Sequence, residues 1–254
     1  MRRGNTWLNG LMKLRDNISF FDYSKTYDYP IFLQECSNTE QTTIFRNIIN
    51  THHSYVKYKD VPQRRINYLI YRTSDGVAIG AIGISSCVLA IGVRDRWIGW
   101  DKEIRLKNSN KVANNYRFCL VPDTGIKNVG TMALKLLREV GAKRWEEKYG
   151  DELIMLETFV QPLIDGSDNK RNGAVYLADN WVMVGETLGN SIKKAPLLLW
   201  QKETSARGEL ARTNPEAAIA KYAVGREHYV VTESPIKKVF IKPLVKDWKD
   251  KLLK

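Results

Sequence analysis

The chain has 254 residues, of which 43% are hydrophobic and 27% are charged. This composition is ordinary for a globular protein with one large or two small domains, and it excludes a low-complexity chain. Forty Lys and Arg against 28 Asp and Glu leave a formal net charge of +12. The excess favours an anionic partner such as DNA or RNA, although a basic balance also serves solubility alone.

The cysteine pattern and the longest apolar run exclude further classes. Cys36, Cys87 and Cys119 form no CxxC pair, which indicates reduced thiols in the cytoplasm rather than a disulfide framework. Residues 77–93 carry no charge but are glycine-interrupted and β-branched, so they predict buried strands rather than a membrane span. No HxH, HExxH or DxD spacing occurs, and we expect no preformed metal site.

The first regular element is a helix that begins at SNTE, residues 37–40. In this capping-box pattern Ser37 caps the helix and Glu40 reaches back. Apolar residues then recur at helical spacing to about His52. Residues 65–92 follow as consecutive strands, with the turn supplied by the Ser-Asp-Gly sequence at 74–76.

The most informative stretch is a strand–helix–strand pattern between Asn114 and Val160. The strand NYRFCLVP is followed by the polar loop DTGIKNVG, a helix over residues 131–150 and an apolar strand over residues 152–160. At this spacing the pattern predicts a βαβ unit with parallel or neighbouring strands.

The remainder of the chain predicts smaller elements around one compact α/β domain. A short helix or turn and a strand cover residues 174–189, a helix starts at TNPE, and VFIKPL is a strand. We expect residues 1–53 to be an N-terminal elaboration with an amphipathic helix and residues 54–192 to be the core. Residues 193–254 are then a basic C-terminal extension packed on that core.

Four motifs occur in a fixed order, namely RDRWIGW, VANNYRFCLVP, LETFVQP and AVYLADNWVMVGETLG, and PIKKVFIKPL follows them. This series resembles the DruA family, named for a component of the Druantia anti-phage systems, over about residues 50–245. The resemblance implies a component of an antiviral or mobile-element system, with partner proteins from that system.

The same segments are similar to the core of GNAT N-acyltransferases, and the closing segment is similar to the phage Mom DNA-modification enzymes. The similarity implies an α/β fold with a GNAT-like mixed sheet, a central βαβ unit, helices on both faces, and N- and C-terminal elaborations. It places Tyr176 and Trp181 in the Tyr-x-x-x-x-aromatic element that closes the acyl-donor site, which makes Tyr176 a candidate catalytic residue.

The loop before the predicted helix carries only part of the GNAT pyrophosphate pattern Q/R-x-x-G-x-G/A. This chain reads KNVGTM at residues 127–132, so Met132 replaces the small third residue. The helix N-terminus can still attract an anion. The cofactor is not identified by the sequence, but acyl-CoA is the candidate that the similarity implies, with four candidate binding residues: Lys127, Asn128, Gly130 and Thr131.

Three further residues are candidates for catalysis, each with a structural alternative. Glu157 ends an apolar strand, where it is either a general base with a raised pKa or the ion-pair partner of an arginine. Asp95 lies between two arginines that stabilise its charge, so it is either a weak base or a residue that organises its loop or presents the arginines to phosphate. His53 follows a helix end and is either a base near neutral pH or a capping residue.

RDRWIGW and the start of the RFCLVP strand supply candidate nucleic-acid contacts. If residues 96–100 are extended, alternation separates the two tryptophans onto opposite sides, so that one is in the core and the other is exposed beside cations. The polar residues before RFCLVP either contact bases and phosphates or tie loops together. The candidates are Arg94, Arg96, Trp100, Arg105, Asn115 and Arg117.

Three functions remain open at this point. The first is a GNAT-like transferase that modifies nucleic acid in an antiviral or mobile-element system. The second is a DNA- or RNA-binding component of an anti-phage system that has the fold without the catalysis. The third is a nuclease in which dispersed acidic residues such as Asp95 and Glu157 hold a divalent ion.

Overall fold

A computed structural model describes residues 29–53, 57–59, 63–162, 172–194, 200–222 and 229–254. A 3₁₀ turn (Ser109–Lys111) precedes the fourth strand, and a π-helical turn (Leu137–Gly141) joins two helices. The other elements are, in chain order, β1 (Ile31–Glu35), α1 (Thr39–His52), β2 (Arg65–Arg72), β3 (Ala78–Ser86), α2 (Gly92–Ile98), α3 (Lys102–Asn108), β4 (Val112–Leu120), α4 (Val129–Leu136), α5 (Ala142–Tyr149), β5 (Met155–Val160), α6 (Ala174–Ala178), β6 (Val182–Glu186), β7 (Asn190–Lys194), α7 (Ala206–Thr213), α8 (Pro215–Tyr222), β8 (Tyr229–Glu233), β9 (Lys238–Pro243) and α9 (Trp248–Leu253).

Seven strands form one mixed sheet in the order β1-β2-β3-β4-β5-β9-β6. The pairs β1–β2, β2–β3 and β3–β4 are antiparallel, and β4 pairs with β5 in parallel. The chain passes from β4 through α4 and α5 to β5, which is the predicted βαβ unit. The predicted α/β class with a mixed sheet is therefore confirmed.

Helices cover both faces of this sheet because successive strand residues point to opposite sides. On one face, α1 packs its Phe45, Ile48 and Ile49 against Leu69, Ala81 and Cys119 of three neighbouring strands. On the other face, Leu120 approaches Gly130 of α4, and Ile84 approaches the helical segment near Gly141. The prediction of helices on both faces is also confirmed.

A β-bulge in β4 coincides with the end of its pairing to β5. Ser85 pairs with Asn114 and Gly83 pairs with Arg117, so two residues of β4 face the single residue between them on β3. A bulge bends its strand and disrupts the local ladder. The parallel ladder ends at Asn114 and Glu157, although β4 continues to Leu120 and β5 to Val160. We call this point the β4–β5 split.

The chain divides into two compact units, Met1–Phe159 with Gly173–Gly185 and Val239–Lys254, and Val160–Asn172 with Glu186–Lys238. In the second unit, β7 and β8 form an antiparallel pair, and Trp200, Ala211 and Ala218 form a small core. The predicted boundaries after residues 53 and 192 stay a prediction, and residues 1–28 of the predicted elaboration lie outside the described residues. Within the described ranges, no helix has the length and apolar character needed to cross a membrane.

Two local predictions are wrong. Residues 87–93 do not continue the strands, because α2 begins at Gly92, and RDRWIGW is helical to Ile98 with a left-handed Gly99 at its end. The helical periodicity of α2 is obscured because two of its three buried residues, Arg94 and Asp95, are charged. The cap of α1 is Asn38 rather than Ser37, since the Asn38 Oδ1 accepts from the Gln41 N–H at 2.9 Å.

Candidate functional site

Three polar side chains meet at the β4–β5 split. The Tyr176 hydroxyl donates to the Asn115 Oδ1 at 2.9 Å. The Thr158 hydroxyl donates to the Asn115 carbonyl at 3.0 Å and lies 3.4 Å from the Tyr176 oxygen. All three side chains are buried. Buried polar networks of this kind are costly unless they are satisfied, and they recur where function needs fixed polar groups.

The backbone around the split fixes this cluster. The Asn115 amide donates to the Gly83 and Arg117 carbonyls at 2.9 and 3.1 Å, so it bridges the bulge. The Tyr176 ring is held between other aromatic rings, at 5.8 Å from Phe240 and 5.0 Å from Trp181. Tyr176 is therefore rigidly placed, with its ring among aromatic rings and its hydroxyl beside Asn115 and Thr158.

Glu157 belongs to a second polar cluster, which is a buried network of charges. Its Oε1 accepts from the Val88 N–H at 2.7 Å, and its Oε2 accepts from the Arg94 Nη1 at 2.6 Å. Arg94 also donates from Nε to Asp95 at 2.8 Å, and Asp95 accepts from Arg105 at 2.8 Å. Arg94 is thus the arginine that forms the ion pair predicted as the structural alternative for Glu157.

The electrostatics of this pair follow from its burial. Glu157 and Arg94 are both 0% exposed. Burial raises the pKa of Glu157 above its ordinary value, although Arg94 and the Val88 N–H act in the opposite direction. Burial alone would lower the pKa of Arg94, but the charges of Glu157 and Asp95 outweigh it and the pKa is raised. We describe the pair as an ion pair because both Glu157 oxygens accept from N–H donors.

Glu157 and Tyr176 are not brought together. Glu157 and Thr158 are neighbours on β5 and point to opposite faces of the sheet. Thr158 contacts Asn115 and Tyr176, whereas Glu157 contacts Arg94. His53 follows the end of α1, where its backbone N–H donates to the Ile49 carbonyl. Among the described residues, no group of three or more His, Cys, Asp or Glu side chains could hold a metal ion.

The start of α4 does not fit a pyrophosphate cradle. A Cβ on Gly130 would lie 2.7 Å from the Val175 Cγ2, so the space that this glycine leaves is occupied by α6. The Thr131 hydroxyl donates to the Asn128 carbonyl at 2.9 Å, and Asn128 is left-handed with φ 56°. Lys127 and Asn128 are exposed. We therefore derive no chemical step through acyl-CoA.

The six predicted nucleic-acid contacts are placed very differently from one another. Arg96 is exposed on α2. Arg105 is half-buried and donates to Asp95, and Arg117 is half-buried and donates to the Tyr116 carbonyl at 2.7 Å. Three are buried: Arg94, Asn115 and Trp100, whose Nε1 donates to the Leu252 carbonyl at 2.7 Å. Their roles in binding stay predictions.

The sequence reasoning missed two features of this region. It did not assign a role to Thr158, although it noted that Glu157 and Thr158 end the strand together. It also chose Trp100 as the tryptophan beside the cations. The structure buries Trp100 and instead stacks the half-buried Trp97 on Trp248. The helical stop at Gly99 and the capping Asp101 are the signals that could have indicated a helix there.

A family model described as "Druantia protein DruA" matches residues 7–194 of this chain. The match spans well over half of the sequence. The chain belongs to the DruA family. The resemblance predicted from the motifs is therefore confirmed, and the DruA family is a family of anti-phage defence. A search of curated proteins found no match.

Solved structures similar to the DruA family chain include three acyl- or acetyltransferases. An N-acyl amino acid synthase from uncultured soil microbes is 8% identical, with 87% of this chain and 93% of that chain covered and a TM-score of 0.44. The ribosomal-protein-S5-alanine acetyltransferase from Vibrio fischeri is 10% identical, with 87% and 97% covered and a TM-score of 0.43. A mosquito arylalkylamine N-acetyltransferase like 5b is 7% identical, with 84% and 99% covered and a TM-score of 0.41. At these values the likeness carries no inference about donor, acceptor or reaction.

Proposed function

We propose that this DruA family protein is a GNAT-like transferase that modifies nucleic acid during anti-phage defence. The observation that carries the proposal is the β4–β5 split with its buried Asn115, Thr158 and Tyr176. A split at the carboxyl end of parallel strands leaves backbone donors and acceptors that an extended ligand can pair with. The net charge of +12 favours a polyanionic acceptor.

In this proposal Tyr176 is the general acid. An amine or hydroxyl of the nucleic acid forms the bond to the transferred group and loses its proton to solvent, while the bond to the donor breaks and the leaving group takes the proton of the Tyr176 hydroxyl. Its hydroxyl is oriented by the hydrogen bond to Asn115 and lies beside the Thr158 hydroxyl. A ligand bound in the split would therefore meet this hydroxyl in one fixed orientation. Proton transfer by a positioned side chain contributes about 10²–10⁴-fold to a rate. Glu157 has both oxygens engaged by Arg94 and Val88, and we give it a structural role. We place the reaction in the cytoplasm, together with partner proteins of the same defence system.

Mass spectrometry of nucleosides tests the proposal. DNA and RNA are taken from cells that carry the defence system, with and without phage challenge, and compared with cells lacking this chain. We expect a nucleoside of new mass with the wild-type protein. Tyr176→Phe should lower its yield by about 10²-fold or more, because only the hydroxyl is lost.

Tyr149→Phe is the matched control. The Tyr149 hydroxyl accepts from the Arg65 N–H and donates to the Arg65 carbonyl, both at 2.8 Å, so this variant also loses hydrogen bonds of a half-buried tyrosine. It should keep the wild-type yield of the new nucleoside. An unchanged nucleoside profile with wild-type protein, or full yield with Tyr176→Phe, would reject a transferase that uses this site.

A further inference from the structure

Trp97 and Trp248 form an aromatic stack at the surface of the first unit. Their ring centres are 4.7 Å apart and their planes differ by 6°, and both residues are half-buried. Trp97 belongs to α2 and Trp248 to α9. Both rings pack against the core cluster that contains Ile98 and Leu252. The stack is therefore anchored on its inner side and partly open on its outer side.

Hydrogen bonds fasten α9 to α3 and to the residues that directly follow α2 and α3. The Leu252 carbonyl of α9 accepts from the Trp100 Nε1 at 2.7 Å and from the Asn108 amide of α3 at 3.1 Å. The Lys111 ammonium donates to the Lys251 carbonyl at 3.0 Å. The surface formed by α2, α3 and α9, which we call the tryptophan face, is thus preorganised before any ligand arrives.

One cation lies against this stack, since the Lys249 Nζ is 5.5 Å from the centre of the Trp248 ring. Three further exposed cations, Arg96, Lys102 and Lys246, are close to Trp97 or Trp248 in the sequence. Four acids of α3, α9 and their caps are also exposed, namely Asp101, Glu103, Asp247 and Asp250. Asp101 caps α3, and Asp247 lies 3.7 Å from Lys251. Cations beside an aromatic ring are the composition of a surface that binds single-stranded nucleic acid.

We propose that the tryptophan face binds single-stranded nucleic acid, with one base stacked on Trp248. This rests on the proposed function, for which it names the form of the acceptor. Stacking of a base on an aromatic ring is stronger than a cation–π contact at an exposed site, so the base displaces Lys249. The freed ammonium then pairs with a phosphate. A duplex cannot do this, because the faces of its bases are already stacked on one another.

The test measures binding of the purified full-length chain to a fluorescent oligothymidine of about 20 nucleotides, longer than a typical single-strand site. Anisotropy gives the Kd over a range of salt concentrations, and a duplex of equal length is the comparison. We expect tighter binding of the single strand. Trp248→Leu should weaken it by about 10-fold, whereas Trp248→Phe, which keeps a stacking ring, should stay within about 3-fold.

Charge variants provide a measurement that does not depend on the packing of Trp248. Lys249→Gln should reduce the slope of log K against log salt by about 0.7, the value for one phosphate contact on a single strand. Lys143→Gln is the matched control, because Lys143 is an exposed lysine of α5, and its slope should not change. A melting curve monitored by circular dichroism confirms that each variant is folded.

Three results would overturn the tryptophan face as a binding surface. They are wild-type affinity in a folded Trp248→Leu, an unchanged salt slope in Lys249→Gln, and duplex binding at least as tight as single-strand binding. The result of the nucleoside experiment does not depend on these binding results. Loss of oligothymidine binding in Trp248→Leu, with no new nucleoside in wild-type cells, would retain the surface and reject the transferase.

Discussion

Replacing Arg94 by Met should lower the free energy of unfolding by about 3–5 kcal/mol, because it leaves the buried Glu157 carboxylate without its counter-charge. Arg94 is fully buried and joins Glu157 to Asp95. Asp95 still accepts from Arg105 in the variant, so the loss of stability comes mainly from the unpaired charge of Glu157. Urea denaturation of the two proteins measures the difference.

Two further variants separate charge from side-chain removal. Arg96→Met changes an exposed arginine of the same helix, and its free energy of unfolding should stay within about 0.5 kcal/mol of wild type. Adding Glu157→Leu to Arg94→Met should recover part of the loss, since no unpaired charge then remains. A double variant no more stable than Arg94→Met would show that the pair is not the reason for the loss.

The loss in Arg94→Met should also depend on pH. Burial already raises the pKa of Glu157 from 4.5, and removing Arg94 takes away an opposing influence. A raised pKa means that the folded state binds more protons than the unfolded state, so stability falls as pH rises from about 4.5 through the folded-state pKa. Arg94→Met should therefore lie closer to wild type at about pH 5 than at about pH 7.5. An equal loss at both values would contradict this account.

Gly173→Ala should destabilise the protein by about 2–5 kcal/mol. Gly173 has φ 83°, and a Cβ there would lie 2.4 Å from the Phe240 Cζ. A left-handed non-glycine residue costs about 1–2 kcal/mol, and overpacking adds about 1–3 kcal/mol. Phe240 stacks on Tyr176, and the Gly173 carbonyl accepts from the Tyr176 N–H at 2.9 Å. The yield of modified nucleoside should therefore fall along with the melting temperature.

Gly150→Ala isolates the steric part of this effect. Gly150 ends α5 with φ 76°, and a Cβ there would meet nothing within 4 Å. This variant should lose only about 1–2 kcal/mol, the cost of the backbone conformation alone. Thermal denaturation of both variants gives the comparison. Equal losses of stability in Gly173→Ala and Gly150→Ala would show that overlap with Phe240 does not contribute to the loss.

The sheet could be predicted from the sequence where local pattern and tertiary position agree. The turn at Gly76, the amphipathic α1 and the βαβ unit each carry a signal in their own residues. The helix α2 does not, because Arg94 and Asp95 are buried there together with Ile98, and charged residues on the inner face of a helix obscure its periodicity. Their burial depends on Glu157, 63 residues away from Arg94 in the chain.

The candidate site could be predicted only in part, for a related reason. Tyr176 and Asn115 were both identified, but nothing in the sequence shows that they share a hydrogen bond across 61 residues. Glu157 and Thr158 are adjacent, and the strand sends them to different faces, so proximity in sequence misleads there. The stack of Trp97 on Trp248 likewise depends on the packing of α9 against α2, which no local pattern encodes.

The bulge in β4 has a consequence for how such a fold can change over generations. Two residues of β4, Asn115 and Tyr116, lie opposite Ile84 alone, and the ladder to β5 ends just before them. Loss of one codon at this point would leave a strand that alternates regularly and can continue its pairing with β5 beyond Glu157. Under the proposed function, loss of this single codon would convert a sheet that accepts a ligand at the split into a closed sheet with only a structural role.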